Sequence, residues 1–330
     1  MNNALLKAPL TINWALNNTC NFQCRHCYSR KDPSGELSTE ELCACIGKAA
    51  KLGVMAINFG GGEPMLRDGL CTIARHAASC GLRVSMNSNG SLIDAQSAAT
   101  LKEAGFYKVG ISIDSHRSEL HDELRGVPGS HRQACAALKH LQDAGIRTSI
   151  SSVICRINYR DIEELVSFAL ELKVDQLNFH NFKCVGLGMA NKDELDLTAA
   201  EWKEFYSQAL AAKKRVEGLD ISLDDPIIAS LGIPSSNMVK GSVCGKLSLN
   251  IKTNGDITPC GFIPSVIGNI TRDDLGELWR TSKLLDAMRH KKATGKCGSC
   301  SHYDDCLGGC SARALAMTGD LNSPDPHCWA

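Results

Sequence analysis

The chain alternates short apolar runs with longer segments whose apolar residues recur at helical spacing. The first helical segment starts at Ser38, which forms a capping box with Glu41, and stops at Gly53. The pattern predicts strands at 10–16, 54–59, 82–86, 107–113, 147–154 and 176–179, with helices between them after 38, after 66, and at 94–104, 133–144 and 162–172. Six βα units of this kind indicate an α/β fold with a parallel sheet covered by helices.

The pattern changes between residues 190 and 239. Trp202, Tyr206 and Leu210 continue a helical spacing, and turn signals follow at 224–226 (Asp-Asp-Pro) and 234–236 (Pro-Ser-Ser). We therefore expect a helical linker region at 191–239 and a domain boundary near residue 240.

A β-hairpin is predicted just beyond that boundary. Residues 247–252 and 256–258 are β-prone and flank Asn254-Gly255, a dipeptide typical of tight hairpin turns. Cys244 and Cys260 lie on the two arms, so the hairpin brings two thiols together.

The charge and the composition of the chain bear on its possible binding partners and on its location. The chain has 330 residues, with 36 Lys and Arg against 36 Asp and Glu, so no overall field favours nucleic acid or an anionic membrane. Residues 1–12 resemble neither a signal peptide nor an anchor, and no run of 18 apolar residues occurs. We expect a cytoplasmic protein.

The 17 cysteines indicate metal binding or catalysis before disulfides, because the expected compartment is reducing and the number is odd. Three lie at 20–27 and seven at 244–328. The other seven are scattered along periodic segments and fit small buried apolar positions, at 43, 45, 71, 80, 135, 155 and 184.

Cys20, Cys24 and Cys27 stand in a C-x3-C-x2-C spacing, which suits a loop around a soft metal. Structural zinc needs four ligands, and His26 could serve as the fourth only in a cramped geometry. A [4Fe–4S] cluster held by three cysteines would leave one iron open for a small molecule.

Polar or glycine-rich segments follow the predicted strands, where parallel sheets carry their chemistry. These segments include residues 60–64 (Gly-Gly-Gly-Glu-Pro), 87–90 (Asn-Ser-Asn-Gly), the alternating pair Ser112 and Asp114, and then Arg125 and Asn158. Taken singly, each has an ordinary alternative as a turn or a helix cap.

Together with the three cysteines, these segments resemble the radical S-adenosylmethionine (SAM) enzymes. The resemblance implies a partial (β/α)6 barrel over residues 1–190, reductive cleavage of SAM to a 5′-deoxyadenosyl radical, and abstraction of a substrate hydrogen. It further implies these contacts with SAM: Gly61, Gly62 and Glu63 at the amino group, Ser112 and Asp114 at the ribose or methionine part, Arg125 at the carboxylate, and Asn158 beside the adenine.

The C-terminal cysteines read Cys297-x2-Cys300-x5-Cys306-x3-Cys310, with Cys328 near the end. A zinc ribbon would be the default for such pairs. With Cys244 and Cys260, however, they resemble the SPASM extension of radical SAM enzymes, which would occupy 240–330 and hold two auxiliary [4Fe–4S] clusters. The resemblance assigns Cys297, Cys300, Cys306 and Cys328 to the outer cluster and Cys244, Cys260 and Cys310 to the inner one, which gives three clusters in all.

The sequence leaves the auxiliary clusters' role open: they could accept an electron, bind substrate or stabilise a small domain. SPASM enzymes mostly modify peptides or proteins, and the alternative is side-chain decarboxylation or oxidation of a haem-pathway tetrapyrrole. Only 19 residues precede Cys20, so we expect no built-in leader-peptide domain and consider a separate leader-binding chain. The expected reductant is a flavodoxin or ferredoxin.

Two other classes fit less well. A zinc-binding interaction protein would need no SAM pocket, and an electron-transfer protein would need no open iron. No catalytic acid, base or radical-quenching residue can be named from the sequence.

Overall fold

The computed structural model describes residues 6–28, 35–233 and 238–330. The predicted turn at 234–236 and the first five residues lie outside the described residues. The helices and strands below belong to the described part.

A single ten-stranded sheet runs through the molecule in the order β10-β9-β8-β1-β2-β3-β4-β5-β6-β7. Strands β1 to β7 are parallel neighbours in chain order, β8 is parallel to β1, and the last pairs are antiparallel. The strands are β1 Thr11–Asn17, β2 Ala56–Gly61, β3 Arg83–Ser88, β4 Phe106–Ser112, β5 Arg147–Ile154, β6 Gln176–Asn181, β7 Asp220–Leu223, β8 Ser248–Ile251, β9 Asp256–Thr258 and β10 Gly268–Asn269.

Helices connect the parallel strands and continue into the C-terminal region. They are α1 Thr39–Lys51, α2 Leu70–Ser79, α3 Ala95–Glu103, α4 Ser118–Arg125, α5 Ser130–Asp143, α6 Ile162–Glu171, α7 Leu187–Ala190, α8 Lys192–Leu195, α9 Ala199–Arg215, α10 Leu275–Thr281, α11 Lys283–Arg289, α12 Tyr303–Cys306 and α13 Ser311–Thr318. The capping box of Ser38 and Glu41 at α1 is present as predicted, with the Ser38 hydroxyl accepting from the Glu41 N–H at 3.1 Å.

The structure confirms the six predicted βα units and the hairpin, which is formed by β8 and β9. Among the features that were not predicted, two bear on the domain division. The linker region at 191–239 contributes strand β7, and β8 pairs with β1 so that Thr11 lies opposite Ser248. The sheet therefore crosses residue 240, and the domain division at that residue stays a prediction.

The apolar core lies on one face of the parallel strands. Apolar residues on neighbouring strands, such as Ile57, Val109 and Ile150, are fully buried. The strand pairing places these side chains on the same face, whereas Asn58 and Ser149, which alternate with them, lie on the other face. This rigid sheet positions the loops at its carboxyl edge.

Trp279 on α10 joins the C-terminal region to the chain start. Its indole ring is fully buried, and its Nε1–H donates a 2.7 Å hydrogen bond to the carbonyl of Leu6. The guanidinium of Arg289 on α11 lies 4.3 Å from the ring centroid. A buried aromatic ring with a satisfied polar group and a cation over its face is a strong packing anchor.

None of the helices in the described ranges has both the length and the apolar character that spanning a membrane requires.

Trp279→Ala is expected to lower the free energy of unfolding by about 3–5 kcal/mol, because it leaves a large cavity and removes the hydrogen-bond donor of the Leu6 carbonyl. Anaerobic guanidinium denaturation measures this. Met55→Ala is the control, since Met55 is 64% exposed and its loss should change stability by less than about 0.5 kcal/mol. Equal unfolding free energies for the two variants would contradict the anchoring role of Trp279.

Candidate active site

Cys20, Cys24 and Cys27 lie in the loop that leaves the carboxyl end of β1. The C-terminal end of helix α4 holds this loop: the Gln23 N–H donates to the Arg125 carbonyl at 3.2 Å, and the Arg25 N–H donates to the Leu124 carbonyl at 2.9 Å. The last carbonyls of a helix lack partners within the helix, so they are free to bind a neighbouring loop.

The segment that follows β6 holds the same loop from the other side. The Leu187 N–H donates to the Cys27 carbonyl at 2.9 Å, and the Asn191 side chain donates to the Arg25 carbonyl at 2.8 Å. The three thiols thus project from a loop whose backbone is fixed on both sides.

The predicted glycine-rich segment lies directly against the start of the cysteine loop. A Cβ atom at Gly61 would stand 2.4 Å from the Asn17 carbonyl oxygen, and one at Gly62 would stand 2.0 Å from the Thr19 oxygen. Any side chain at either position would therefore collide with backbone. A hydrogen bond stabilises this contact: the Gly62 N–H donates to the Asn17 carbonyl at 2.7 Å.

Glu63 follows these two glycines and is the third residue expected at the SAM amino group. It is 1% exposed. Its carboxylate accepts hydrogen bonds from the Met65 N–H at 3.0 Å, the Ser88 hydroxyl at 2.8 Å and the Asn89 N–H at 2.8 Å. Burial raises the pKa of Glu63, although these donors act against the rise. The side chain of Glu63 thereby links the loop after β2 to the loop after β3.

Asp114 and Arg125 form a buried ion pair beside the cysteine loop. Arg125 Nε lies 2.7 Å from one Asp114 oxygen, and Nη2 donates to the other at 3.0 Å. Asp114 also accepts from the Val153 N–H of β5 at 2.9 Å. Burial is the largest influence and would raise the pKa of Asp114, but Arg125, His26, His121 and the Val153 hydrogen bond together hold the pKa below its usual range.

Arg125 also contacts the cysteine loop directly. Its Nη1 donates toward the Cys24 sulfur at 3.8 Å. Burial raises the pKa of the Cys24 thiol, whereas the Arg125 charge lowers it. The ion pair thus joins strand β4, strand β5 and helix α4 to a predicted cluster ligand.

Ser112 and Asn158 occupy different surroundings. Ser112 is the last residue of β4 and is half-buried; the strand ends there, so the predicted alternation does not reach Asp114. Asn158 is fully buried: it accepts from the Cys155 N–H at 2.8 Å and donates to the carbonyls of Asp114 and Val153 at 2.7 and 3.0 Å. Asn158 therefore joins β4 to β5, and its contact with adenine stays a prediction.

Neighbouring thiols occur at two places among the C-terminal cysteines, and their division between two clusters stays a prediction. At the first place, Cys244 and Cys260 are hydrogen-bonded to each other, which lowers the pKa of Cys244 to about 7, and Cys310 is near enough to raise the pKa of Cys260. At the second place, Cys328 is near enough to raise the pKa of both Cys297 and Cys306, and Cys300 is near enough to raise the pKa of Cys297.

Within the ranges 6–28, 35–233 and 238–330, no three His, Cys, Asp or Glu side chains converge on a point where a single metal ion could bind. A four-iron cluster is wider than one ion and keeps its ligands farther apart. Grouped thiols are a donor set that suits iron–sulfur clusters.

A cavity of about 650 Å³ opens between the cysteine loop and the C-terminal region. Tyr28 lies on its wall and packs against Phe262, with ring centroids 4.6 Å apart. Gly61 lines the cavity at the end of β2, and Phe262 and Ile263, which follow Cys260, line it from the C-terminal region. A ligand in this cavity would therefore contact both cysteine regions.

Several hydrogen-bond partners of the predicted residues were not predicted from the sequence. His121 on α4 is buried, and its Nδ1 accepts the Asp114 N–H at 3.2 Å. Burial lowers the pKa of His121 to about 4, so the ring is neutral and can accept. The i, i+4 spacing of His121 and Arg125 places both on one helix face and could have indicated this grouping.

A second buried ion network also escaped prediction. Arg313 on α13 pairs with Asp225 through its Nη1 at 2.7 Å and Nη2 at 2.8 Å, and its Nε donates to Asp325 at 2.8 Å. Asp325 in turn accepts from the Cys310 N–H at 2.7 Å. Asp225, predicted as a turn former, is thus a buried structural carboxylate.

Comparisons with known proteins agree with this geometry. The family model of the Radical SAM superfamily matches residues 14–169, and the model of the SPASM iron–sulfur cluster-binding domain matches residues 244–301. The chain is 31% identical to the AdoMet-dependent heme synthase of Oleidesulfovibrio alaskensis, over 96% of this chain and 86% of that protein. It is 32% identical to the mycofactocin maturase MftC of Mycobacterium ulcerans, over 98% of this chain and 88% of that protein.

The fold has a similar counterpart among solved structures. Streptococcus suis SuiB bound to S-adenosylmethionine superposes with a TM-score of 0.83 at 20% identity, covering 99% of this chain and 78% of SuiB. The sequence matches and the site geometry lead to the same conclusion: the chain belongs to the radical SAM enzyme superfamily and carries a C-terminal SPASM domain.

Proposed function

We propose that the enzyme abstracts a hydrogen atom from a side chain of a ribosomal peptide or protein and so modifies that side chain. The observation that carries the proposal is the cavity between the cysteine loop and the SPASM domain. Its volume of about 650 Å³ lies within the usual range for a small-molecule site and is large enough to admit one side chain of a peptide.

The chemistry of the cavity wall supports a peptide. Apolar residues such as Met189 and Leu315 line the cavity together with the amides of Asn18 and Asn250. Among the described residues that line the cavity, Lys252 is the one charged side chain. Apolar walls with a few amide groups suit a peptide segment, whereas a tetrapyrrole with several carboxylates would call for more cations.

The tetrapyrrole alternative is supported by the relatives. AdoMet-dependent heme synthases match at 28–31% identity, and MftC proteins match at 31–32%, so identity does not separate the two substrate classes. We therefore base the proposal of a peptide substrate on the composition of the cavity.

The three cysteine groups are proposed to hold three [4Fe–4S] clusters. Cys20, Cys24 and Cys27 would hold the cluster that binds SAM. Cys244, Cys260 and Cys310 would hold the inner auxiliary cluster, and Cys297, Cys300, Cys306 and Cys328 the outer one. When bound, SAM supplies the radical chemistry of the superfamily.

The residues of this chain would then orient SAM. Gly61 borders the cavity, and its backbone together with Gly62 and Glu63 is proposed to meet the SAM amino group. Arg125 uses Nε and Nη2 for Asp114, and its Nη1, which faces Cys24, would donate to the SAM carboxylate. A fixed planar guanidinium suits this contact better than Lys would. Ser112 and Asp114 remain proposed neighbours of the ribose or methionine part.

A cytoplasmic location and a flavodoxin or ferredoxin as reductant complete the proposal. The location is supported by 17 cysteines that all lie free of disulfides. A separate leader-binding chain would present the peptide.

Replacement of Cys20, Cys24 and Cys27 together by Ala should abolish 5′-deoxyadenosine formation and leave about eight of roughly twelve irons per chain. Iron analysis and chromatography of the nucleoside on anaerobically reconstituted protein measure both effects. The matched control replaces Cys43, Cys71 and Cys80, three cysteines outside the ligand groups, and should change neither value. Nucleoside formation by the first variant would place the SAM site elsewhere.

Arg125→Met should destabilise the fold by about 3–5 kcal/mol, because it leaves the Asp114 charge buried without its partner. It should also weaken SAM binding, measured by equilibrium dialysis. Arg117→Met is the control: Arg117 lies at the start of the same helix, half-exposed, and pairs with Asp161. Its loss should cost no more than about 1 kcal/mol. Equal costs for both variants would argue against a structural role for the buried pair.

The substrate class can be tested with deuterium. Source-organism cells grown in D₂O give a deuterated extract, which is divided into a peptide fraction, the same fraction digested with protease, and an organic-soluble tetrapyrrole fraction. We expect deuterium in 5′-deoxyadenosine, detected by mass spectrometry, with the peptide fraction alone. Transfer from the tetrapyrrole fraction instead would favour the alternative function.

A further inference from the structure

Lys291, just after helix α11, is a buried cation that has no role in the proposed function. Lys291 is 6% exposed. Buried lysines are rare unless they are paired, because desolvation of an ammonium group is costly. The ammonium donates a 3.1 Å hydrogen bond to the carbonyl of Gly308.

The position of Gly308 makes this contact informative. It lies midway between Cys306, proposed for the outer cluster, and Cys310, proposed for the inner one. Lys291 therefore binds the backbone that connects the two ligand groups. Its Nζ would be 3.5 Å from a Cβ atom at Gly308, so the ammonium lies against the loop itself.

The loop is built to lie close to its neighbours. A Cβ at Gly308 would approach the Ala293 Cβ to 2.4 Å, and one at Gly309 would approach the Asp325 Cβ to 2.4 Å. Both glycines have φ of +75°, a region that favours glycine. The backbone of Lys291 is fixed as well, since the Tyr303 hydroxyl donates to its carbonyl at 2.8 Å and accepts from the Ala293 N–H at 3.0 Å.

The charged groups near Lys291 belong to both ligand groups. Burial lowers the pKa of its ammonium, and the groups that raise it are Asp325 and the thiols of Cys310, Cys297 and Cys306. The Asp325 carboxylate is already paired with Arg313 and the Cys310 N–H. Of the thiols near Lys291, Cys297 and Cys306 belong to the outer group, and Cys310, which Arg313 also faces, belongs to the inner group.

We propose that Lys291 is an electrostatic group shared by the two auxiliary clusters, and that its positive charge favours the reduced form of both. The proposal rests on the cluster assignment in the proposed function. Reduction adds negative charge to a cluster, and a fixed cation in a buried, low-dielectric setting stabilises that charge. Lys291 thereby raises both reduction potentials together and makes the pair better electron acceptors.

The test compares Lys291→Met, which removes the charge and the hydrogen bond, with Lys291→Gln, which removes the charge but keeps an N–H donor. Lys292→Met is the matched control, since the adjacent Lys292 is exposed. All variants are made in the full chain with Cys20, Cys24 and Cys27 replaced by Ala, so that the auxiliary clusters alone contribute to the spectra. Iron content and potentiometric titration followed by electron paramagnetic resonance are the measurements.

Both Lys291 variants should shift both auxiliary midpoints to more negative potential. At a fixed potential, the reduced-to-oxidised ratio should fall about tenfold for each cluster, the size expected for one buried charge nearby. Lys292→Met should leave the midpoints unchanged, because solvent screens its charge. A purely structural role for Lys291 would lower iron content without moving the midpoints of the clusters that remain.

Three results would overturn the proposal. Unchanged midpoints in variants with full iron would exclude the electrostatic role and leave the proposed function intact. A shift in Lys291→Met alone would assign the effect to the hydrogen bond, and a shift in one cluster alone would exclude sharing. Absence of about eight irons in the Cys20, Cys24 and Cys27 background itself would reject the cluster assignment, and this proposal with it.

Discussion

The buried pair of Asp114 and Arg125 is the interaction on which the site depends. Asp114 follows the end of β4 and also binds the backbone of β5, while Arg125 ends helix α4 and reaches Cys24. Loss of either charge would leave the other unpaired in a dry environment, which is far more costly than loss of an exposed pair. The same helix end also binds the cysteine loop through two carbonyls, so charge and backbone geometry fix the loop together.

Close backbone contact is the second constraint. Gly61 and Gly62 bring the loop after β2 against residues 17–19, and Gly308 and Gly309 bring the C-terminal loop against Ala293 and Asp325. In both places glycine allows two backbone segments to approach where any side chain would collide. The cysteine-bearing regions at the two ends of the chain therefore use the same physical means to hold their loops in place.

The sequence predicted the features that local patterns encode. The alternation of apolar runs identified the six parallel strands, and Asn254-Gly255 identified the hairpin of β8 and β9. It could not predict that β8 pairs with β1, because that register depends on residues more than 200 positions apart. Arg125 was expected near SAM, but its pairing with Asp114 follows from the return of helix α4 and could not be read from periodicity.

The pairing of β8 with β1 also explains why one cavity meets both cysteine regions. β1 leads directly into the loop of Cys20, and β8 lies beside it in parallel, so residues that follow the two strands emerge at the same edge of the sheet. The Asn18 amide accordingly donates to the Thr253 hydroxyl at 3.1 Å, and both residues line the cavity. β9 then returns along β8 and places Gly261 and Phe262 against Tyr28. The SPASM domain is thus positioned over the cysteine loop by extension of the barrel sheet itself, and a substrate between them would contact residues that one continuous hydrogen-bonded ladder holds in place.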